Sequence, residues 1–362
     1  MLKILHTADL HLDSPFTGLT PEQAARRRAE QRALVQRLGD VAARERVDLV
    51  LLAGDLFDSG RIYRDTAREL AEDLGRIDAP VFISPGNHDP YDAASPYALP
   101  IWPDNVHIFT SAAPAAVELP GLNCVVYGAA FLSERQEESP LTGFHAPEDG
   151  RIHLMVLHAN TEGAGYAPIT AAQIADSGLD YLALGHIHRQ SGLQRSGDTR
   201  WAYPGCPEGR GFDELGDKGA LLVRVDTEGV QAEFVSLCQR RYEILDVDLT
   251  GALDPAASVL AVLPAGADRH ICRVRLTGRY NLTAAELTAV EQALEERTWA
   301  HQVQDRTRPP EDLWARAGED NLTGLFLQTM ATLCEQDPED EELQLAVRFG
   351  LSALEHGEDV AP

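Results

Sequence analysis

Five short apolar runs in the first 240 residues each stop at a motif rich in Asp, Asn or His. Leu2–Thr7 leads into Asp9-Leu10-His11, and Val47–Ala53 into Gly54-Asp55-Leu56-Phe57-Asp58. Val81–Ser84 leads into Gly86-Asn87-His88-Asp89, His153–Leu157 ends at His158, and Tyr181–Leu184 ends at Gly185-His186-Ile187-His188. Runs this short and this apolar read as strands covered on both faces. Helical patterns lie between the early ones. Thr20-Pro21-Glu22-Gln23 supplies a cap and a proline at the first helical position, and Leu34, Leu38 and Val41 follow at helical spacing. Tyr63–Ile77 places Leu70, Leu74 and Ile77 on one face, as a helix does that packs on a core. The alternation predicts βαβ units and an α/β domain over residues 1–240. In such sheets ligands gather beyond the carboxyl ends of the strands, so the five motifs are expected to meet.

Any one of these motifs is common by chance, but all five at the ends of apolar runs are not. Together Asp9, His11, Asp55, Asn87, His158, His186 and His188 offer two carboxylates, four imidazoles and one amide. That set can build two adjacent sites for divalent cations. It contains no thiolate, which favours manganese, iron or magnesium over structural zinc. A carboxylate such as Asp55 can bridge two ions about 3.5–4 Å apart, which clamp the oxygens of an in-line phosphoryl displacement. The glycines allow the tight turns that aim the ligands.

These motifs resemble the calcineurin-like metallophosphoesterase superfamily over residues 1–237. The resemblance implies that superfamily's sandwich fold, with Asp9, His11, Asp55 and His188 at one metal and Asp55, Asn87, His158 and His186 at the other. It implies that His88 steadies the transition state or protonates the leaving oxygen, and that Asp89 orients His88. The stretch His6–Phe16 and the segment Tyr203–Gly211, followed by Lys218-Gly219, look like bacterial repair exonucleases of the SbcD and YhaO type. That narrower likeness implies a DNA substrate, a small capping domain, C-terminal helices that dock on an SMC-like coiled-coil ATPase, and a homodimer formed through helices of the nuclease domain.

The rest of the chain is compatible with this. Residues 243–306 alternate short strands and helices: Ile244–Leu249, a short helix opened by Asp254-Pro255, Ile271–Leu276, a capping box at Thr283 and Glu286, and His301–Arg306. They read as a small α+β capping domain. Pro309-Pro310 reads as a linker, and 311–362 as an acidic helical tail. Its stripes are Phe326, Met330 and Leu333, then Leu343, Val347, Leu351 and Leu354, joined by a turn at Gln336-Asp337-Pro338-Glu339. The two stripes either bury each other, pack on the nuclease domain or dock on a partner.

A net charge of −26 argues against a non-specific nucleic-acid binder, so a DNA enzyme of this composition needs local cations. Two metal ions would supply some. Arg189, Arg200 and Arg210 either line a groove or lie on solvated surface, and the Arg26–Arg37 cluster reads as solvated helix. The five cysteines are scattered and form no C-x-x-C, and no apolar run reaches about 18 residues. A cytoplasmic protein is the expectation. The leading reading is a metal-dependent DNA nuclease. The alternatives are a phosphodiesterase or phosphatase for small or protein phosphoesters, and a silent scaffold for an ATPase.

Overall fold

Strands that are apolar throughout need cover on both faces, and two packed sheets with helices outside supply it. The structure is a computed structural model that describes residues 1–59, 64–226, 228–308, 314–336 and 340–356. Tyr63, Pro309-Pro310 and Asp337-Pro338-Glu339 lie outside the described residues. In chain order the first half runs β1 (Leu2–Thr7), α1 (Pro21–Glu45), β2 (Leu49–Leu52), α2 (Arg64–Gly75), β3 (Val81–Ile83), β4 (Val106–Ile108), β5 (Ala115–Leu119), β6 (Cys124–Gly128), β7 (Ile152–His158), α3 (Ala171–Ala175) and β8 (Tyr181–Gly185). The second half runs β9 (Gln194–Ser196), β10 (Thr199–Ala202), β11 (Gly219–Asp226), β12 (Gly229–Ser236), β13 (Tyr242–Asp248), α4 (Pro255–Val262), β14 (Ile271–Thr277), α5 (Ala284–Glu295), β15 (Ala300–Asp305), α6 (Leu322–Gln336) and α7 (Glu341–His356).

The first sheet has the order β12-β11-β1-β2-β3-β4 and the second β5-β6-β7-β8-β10-β9. Strands β1 to β4 are parallel, as are β6, β7, β8 and β10. Antiparallel strands close the edges at β11, β12, β5 and β9. The two-residue period of a strand explains the layers. Leu5, Val50, Leu52 and Ile83 point to one side and bury Leu34 and Leu38 of α1 with Leu70 and Leu74 of α2. Their neighbours Ile4, Leu49, Leu51 and Phe82 point the other way, onto Val126, Leu154, Tyr181 and Ala183 of the second sheet. The far side of that sheet packs Met155, Leu157 and Leu182 on Ile174 of α3. Each such buried side chain contributes about 1.5–3 kcal/mol. The result is the expected metallophosphoesterase sandwich.

The capping box at Thr20 and Gln23 is formed and starts α1, with Pro21 in its first turn. The arginines of α1 are not the solvated set expected. Arg27 is fully buried, bonded to Glu30 (2.9 Å), Glu208 (3.0 Å) and the Gly209 carbonyl (2.9 Å). Arg240 joins the same cluster through Glu30. Burial of a guanidinium is tolerated only with such partners, and periodicity does not reveal partners distant in sequence.

One compact unit comprises Met1–Leu245, Leu263–Val274 and Leu294–Gln302, and the other Asp246–Val262, Arg275–Ala293 and Val303–Pro362. Segment 243–306 is thus divided, although β13, β14 and β15 form a three-stranded sheet. The reason lies in the first unit, where Tyr242, Ile271 and Ala300 pack with Leu19 and Phe212. In the second unit α6 and α7 pack through Leu327, Met330, Val347 and Leu351. Leu333 and Leu354, expected on the inner faces, are exposed. Phe326 and Met330 of the expected stripe pack with Leu327 against α7, and of that stripe only Leu333 turns outward.

Candidate metal centre

The five motif-bearing strands come from both sheets: β1, β2 and β3 from one, β7 and β8 from the other. Their carboxyl ends meet at one rim. The loops after β1 and β2 are zipped together, Asp9 N–H to the Gly54 carbonyl (2.9 Å) and His11 N–H to that of Asp55 (2.9 Å). Across the sheets, His186 N–H donates to the Asp9 carboxylate at 3.1 Å. Beneath them His6 bridges β1 to β8, between the Tyr181 hydroxyl (2.8 Å) and the Leu184 carbonyl (3.2 Å).

This rim carries backbone strain. Asp9, His11, Asp55 and His186 have φ of 55°, 45°, 49° and 108°, in a region side chains other than glycine avoid. Glycine is required at Gly86, where a Cβ would collide with the Asp55 carboxylate. It is also required at Gly54, with φ of +87° and His158 against its missing Cβ.

The seven expected ligands converge. His11 Nε2 lies 3.2 Å from His188 Nε2, and His188 Nε2 3.7 Å from Asp9. Asp55 Oδ2 lies 3.8 Å from His11 Nε2 and 3.3 Å from His158 Nε2, reaching both sides of the cluster. Asn87 Oδ1 lies 2.9 Å from His158 Nε2 and 3.2 Å from His186 Nδ1. Among the described residues, Asp9 with His11 and His188, and Asp9 with Asp55 and His158, can each present ligand atoms within 4.8 Å of one another. His11, Asp58 and His88 form a third such group.

Proton accounting shows why these residues fit cations. His158 Nδ1 faces the Ala53 carbonyl at 2.9 Å, so Nδ1 carries the proton. Burial pushes His158 down to about 3, so the ring is neutral and Nε2 is a lone pair. That lone pair faces the oxygens of Asn87 and Asp55, an arrangement that a cation relieves. Burial likewise lowers His11 to about 4 and His186 to about 4. Between His11 and His188 only a proton or a cation can sit. Burial works to lower His188, but Glu214 and Asp9 outweigh it and raise it. Burial also raises Asp9 above the usual carboxylate range.

His88 is exposed at the rim, and its Nδ1 faces the Asp58 carbonyl at 3.2 Å. Asp89 is buried elsewhere. Its carboxylate accepts from Phe57 N–H (3.0 Å), Gly86 N–H (2.9 Å) and the Tyr97 hydroxyl (2.5 Å). Asp89 therefore braces the turn that presents Asn87 and His88, and the contact orienting the His88 ring is the Asp58 carbonyl. A carboxylate adjacent in sequence gives no sign of which backbone groups it meets.

Three residues that the ligand set left out lie behind it. Asp58 Oδ1 is 3.3 Å from His11 Nδ1, and Glu214 Oε1 is 2.7 Å from His188 Nδ1. Arg210 contacts both carboxylates at 2.9 Å. Burial opposes ionisation of Glu214, but His188 and Arg210 hold it well below the usual carboxylate range. Arg210 and Glu214 lie in an irregular loop between β10 and β11, so their spacing carried no helical signal. Arg189 is exposed and Arg200 half-buried, and neither joins the cluster. Beside it an open groove of about 490 Å³ runs from Asp58, Arg210 and Glu214 past Phe212 to Arg273 and Gln302. The Arg273 guanidinium lies 3.8 Å over the Phe212 ring.

A sandwich with carboxylates and imidazoles converging from both sheets defines a metal-dependent phosphoester hydrolase. The chain belongs to the family described as calcineurin-like phosphoesterase, which its residues 2–190 match and whose members use a dimetal centre. It is 34% identical over 269 residues to the uncharacterized metallophosphoesterase YhaO of Bacillus subtilis (strain 168), covering 71% of this chain and 65% of that protein. It is 26% identical to the SbcD component of the nuclease SbcCD of the same organism, covering 61% and 66%, and 26% identical to the DNA double-strand break repair protein Mre11 of Aeropyrum pernix, covering 69% and 64%. The matches thus span just under two thirds of the length of these relatives. No helix among the described residues is long and apolar enough to cross a membrane.

Proposed function

We propose that the protein is a two-metal-dependent DNA nuclease, with manganese as its working metal. The observation that carries hydrolysis is the convergence of Asp9, His11, Asp55, Asn87, His158, His186 and His188, with Asp55 reaching both sides. Bound there, two divalent ions would activate water and offset charge on the phosphoryl oxygens. The protein's own groups do the rest. Asp55 Oδ1 accepts the His88 N–H at 2.9 Å and so holds the backbone of the turn. The Asp58 carbonyl accepts from His88 Nδ1–H, so the ring, once Nε2 is protonated as well, would give the Nε2 proton to the leaving oxygen and return to the neutral form. Two things favour DNA over small phosphoesters. The relatives include a nuclease component and a break-repair protein. The groove beside the centre also offers Arg273, stacked over Phe212, as a cation for a phosphate, whereas Arg210 there is paired with Asp58 and Glu214.

Treatment with EDTA followed by dialysis is expected to abolish nucleotide release from duplex and single-stranded DNA, and manganese to restore it. The assay is run beside p-nitrophenyl phosphate esters. Undiminished DNA cleavage without metal removes the mechanism, and turnover of the esters alone favours the phosphatase reading.

The partner reading places an SMC-like ATPase on the outer side of α6, where Leu322 and Leu325 are 66% and 61% exposed. An apolar helix face set among acids supplies affinity and steering toward a basic partner. Replacing both leucines with Glu is expected to abolish co-purification with such an ATPase while basal cleavage of short single-stranded DNA persists. Retained co-purification would rule out this surface.

A further inference from the structure

We propose that Arg210, Asp58 and Glu214 form a clasp that sets the affinity of one half of the metal centre, the half built from Asp9, His11, Asp55 and His188. The proposal rests on the two-metal reading. The contacts close a ring. Arg210 Nη1 donates to Asp58 Oδ1 (2.9 Å), which lies 3.3 Å from His11 Nδ1 and accepts from the Ser14 hydroxyl at 3.0 Å. Arg210 Nη2 donates to Glu214 Oε1 (2.9 Å), which accepts from His188 Nδ1 at 2.7 Å. The other Glu214 oxygen accepts the Arg210 backbone N–H at 2.7 Å. One guanidinium therefore spans the two carboxylates that stand behind the two imidazoles whose Nε2 atoms are 3.2 Å apart.

Each part has a physical task. The Glu214 carboxylate on His188 Nδ1–H fixes that ring's tautomer, turns Nε2 toward the cation and makes it the stronger donor, while Asp58, 3.3 Å from His11 Nδ1, adds negative charge behind the other ring. Two carboxylates so close repel, and the rigid fork of an arginine offsets their charge while holding their separation. The loop bearing the clasp is itself anchored: Glu208 and Gly209, just before Arg210, are both bonded to buried Arg27 of α1. Gln31, a turn further along α1, donates to the Leu10 (2.9 Å) and His11 (2.8 Å) carbonyls. One helix thus steadies both ends of the ring.

The other half is built differently. There His158 Nδ1 is held by the Ala53 main chain at 2.9 Å, and the carboxylate near it, that of Asp9 at 4.0 Å, is itself an expected metal ligand. Damage to the clasp should therefore be one-sided, which distinguishes a positioning role from general scaffolding.

The test titrates manganese into metal-free, full-length wild type, Glu214→Ala and Glu214→Gln, read by calorimetry and by electron paramagnetic resonance. In Glu214→Ala one site is expected to keep its affinity and the other to weaken about 10–100-fold. At limiting manganese the spectrum of a coupled pair should give way to that of isolated ions. Glu214→Gln, which keeps an acceptor for His188 Nδ1–H but no charge, should recover part of the loss. Two sites unchanged in both variants overturn the proposal, and so does equal weakening of both. If Glu214→Ala does not fold, the nearly isosteric Glu214→Gln decides, and it must show the same one-sided loss in smaller degree. Failure of the two-metal reading would look different, since wild type itself would then bind fewer than two ions.

Discussion

Asp55→Ala is expected to leave the protein without bound metal and without measurable cleavage. Asp55 is buried, and its Oδ2 approaches His11 and His158 together, so its removal takes a ligand from both halves of the centre. Its Oδ1 also accepts the His88 N–H, so the turn carrying Asn87 and His88 loses a support. The fall in metal affinity should exceed the about 10–100-fold typical of outer partners. Elemental analysis of the purified variant, beside the nuclease assay, checks this. Two ions retained per chain would sink the bridging role of Asp55.

His88→Ala is expected to lower DNA cleavage by about 10²–10⁴-fold while both metals stay bound. The His88 ring is exposed, and its Nδ1 is occupied by the Asp58 carbonyl. His11, Asp58 and His88 do form a third cluster of donor atoms, but the cation against Asp58 there is the Arg210 guanidinium. The size of the loss should depend on the leaving group. An alkoxide leaving from DNA needs a proton, whereas p-nitrophenolate needs little help. A p-nitrophenyl phosphodiester should therefore lose less activity than DNA. Equal losses on both substrates would count against proton donation, and loss of metal would move His88 into the ligand set.

Residues whose role is declared by type and by place at the end of an apolar run were legible before any fold was known. Asp9, Asp55 and the paired His186 and His188 are of this kind. So was the start of α1, because the contacts of a capping box are local. The residues that escaped act through contacts distant in sequence. Arg27 reads as one more arginine on a charged helix until Glu208, 181 positions away, is seen beside it. Asp89 reads as the partner of the histidine next to it, yet it braces the backbone at Phe57 and Gly86. Glu214 has no motif of its own, and only the folded chain places it behind His188.

The chain's own pattern determined that strands and helices alternate, that five strand ends carry donors, and that those donors are oxygen and nitrogen. Side-chain chemistry and short-range periodicity act within a few residues, so a linear reading reaches them. Only the tertiary structure decided that the five ends belong to two sheets packed face to face. It also decided that Asp55 stands between His11 and His158, and that segment 243–306 is divided between two compact units. Those outcomes depend on which buried faces meet, and burial is a property of the whole packed chain.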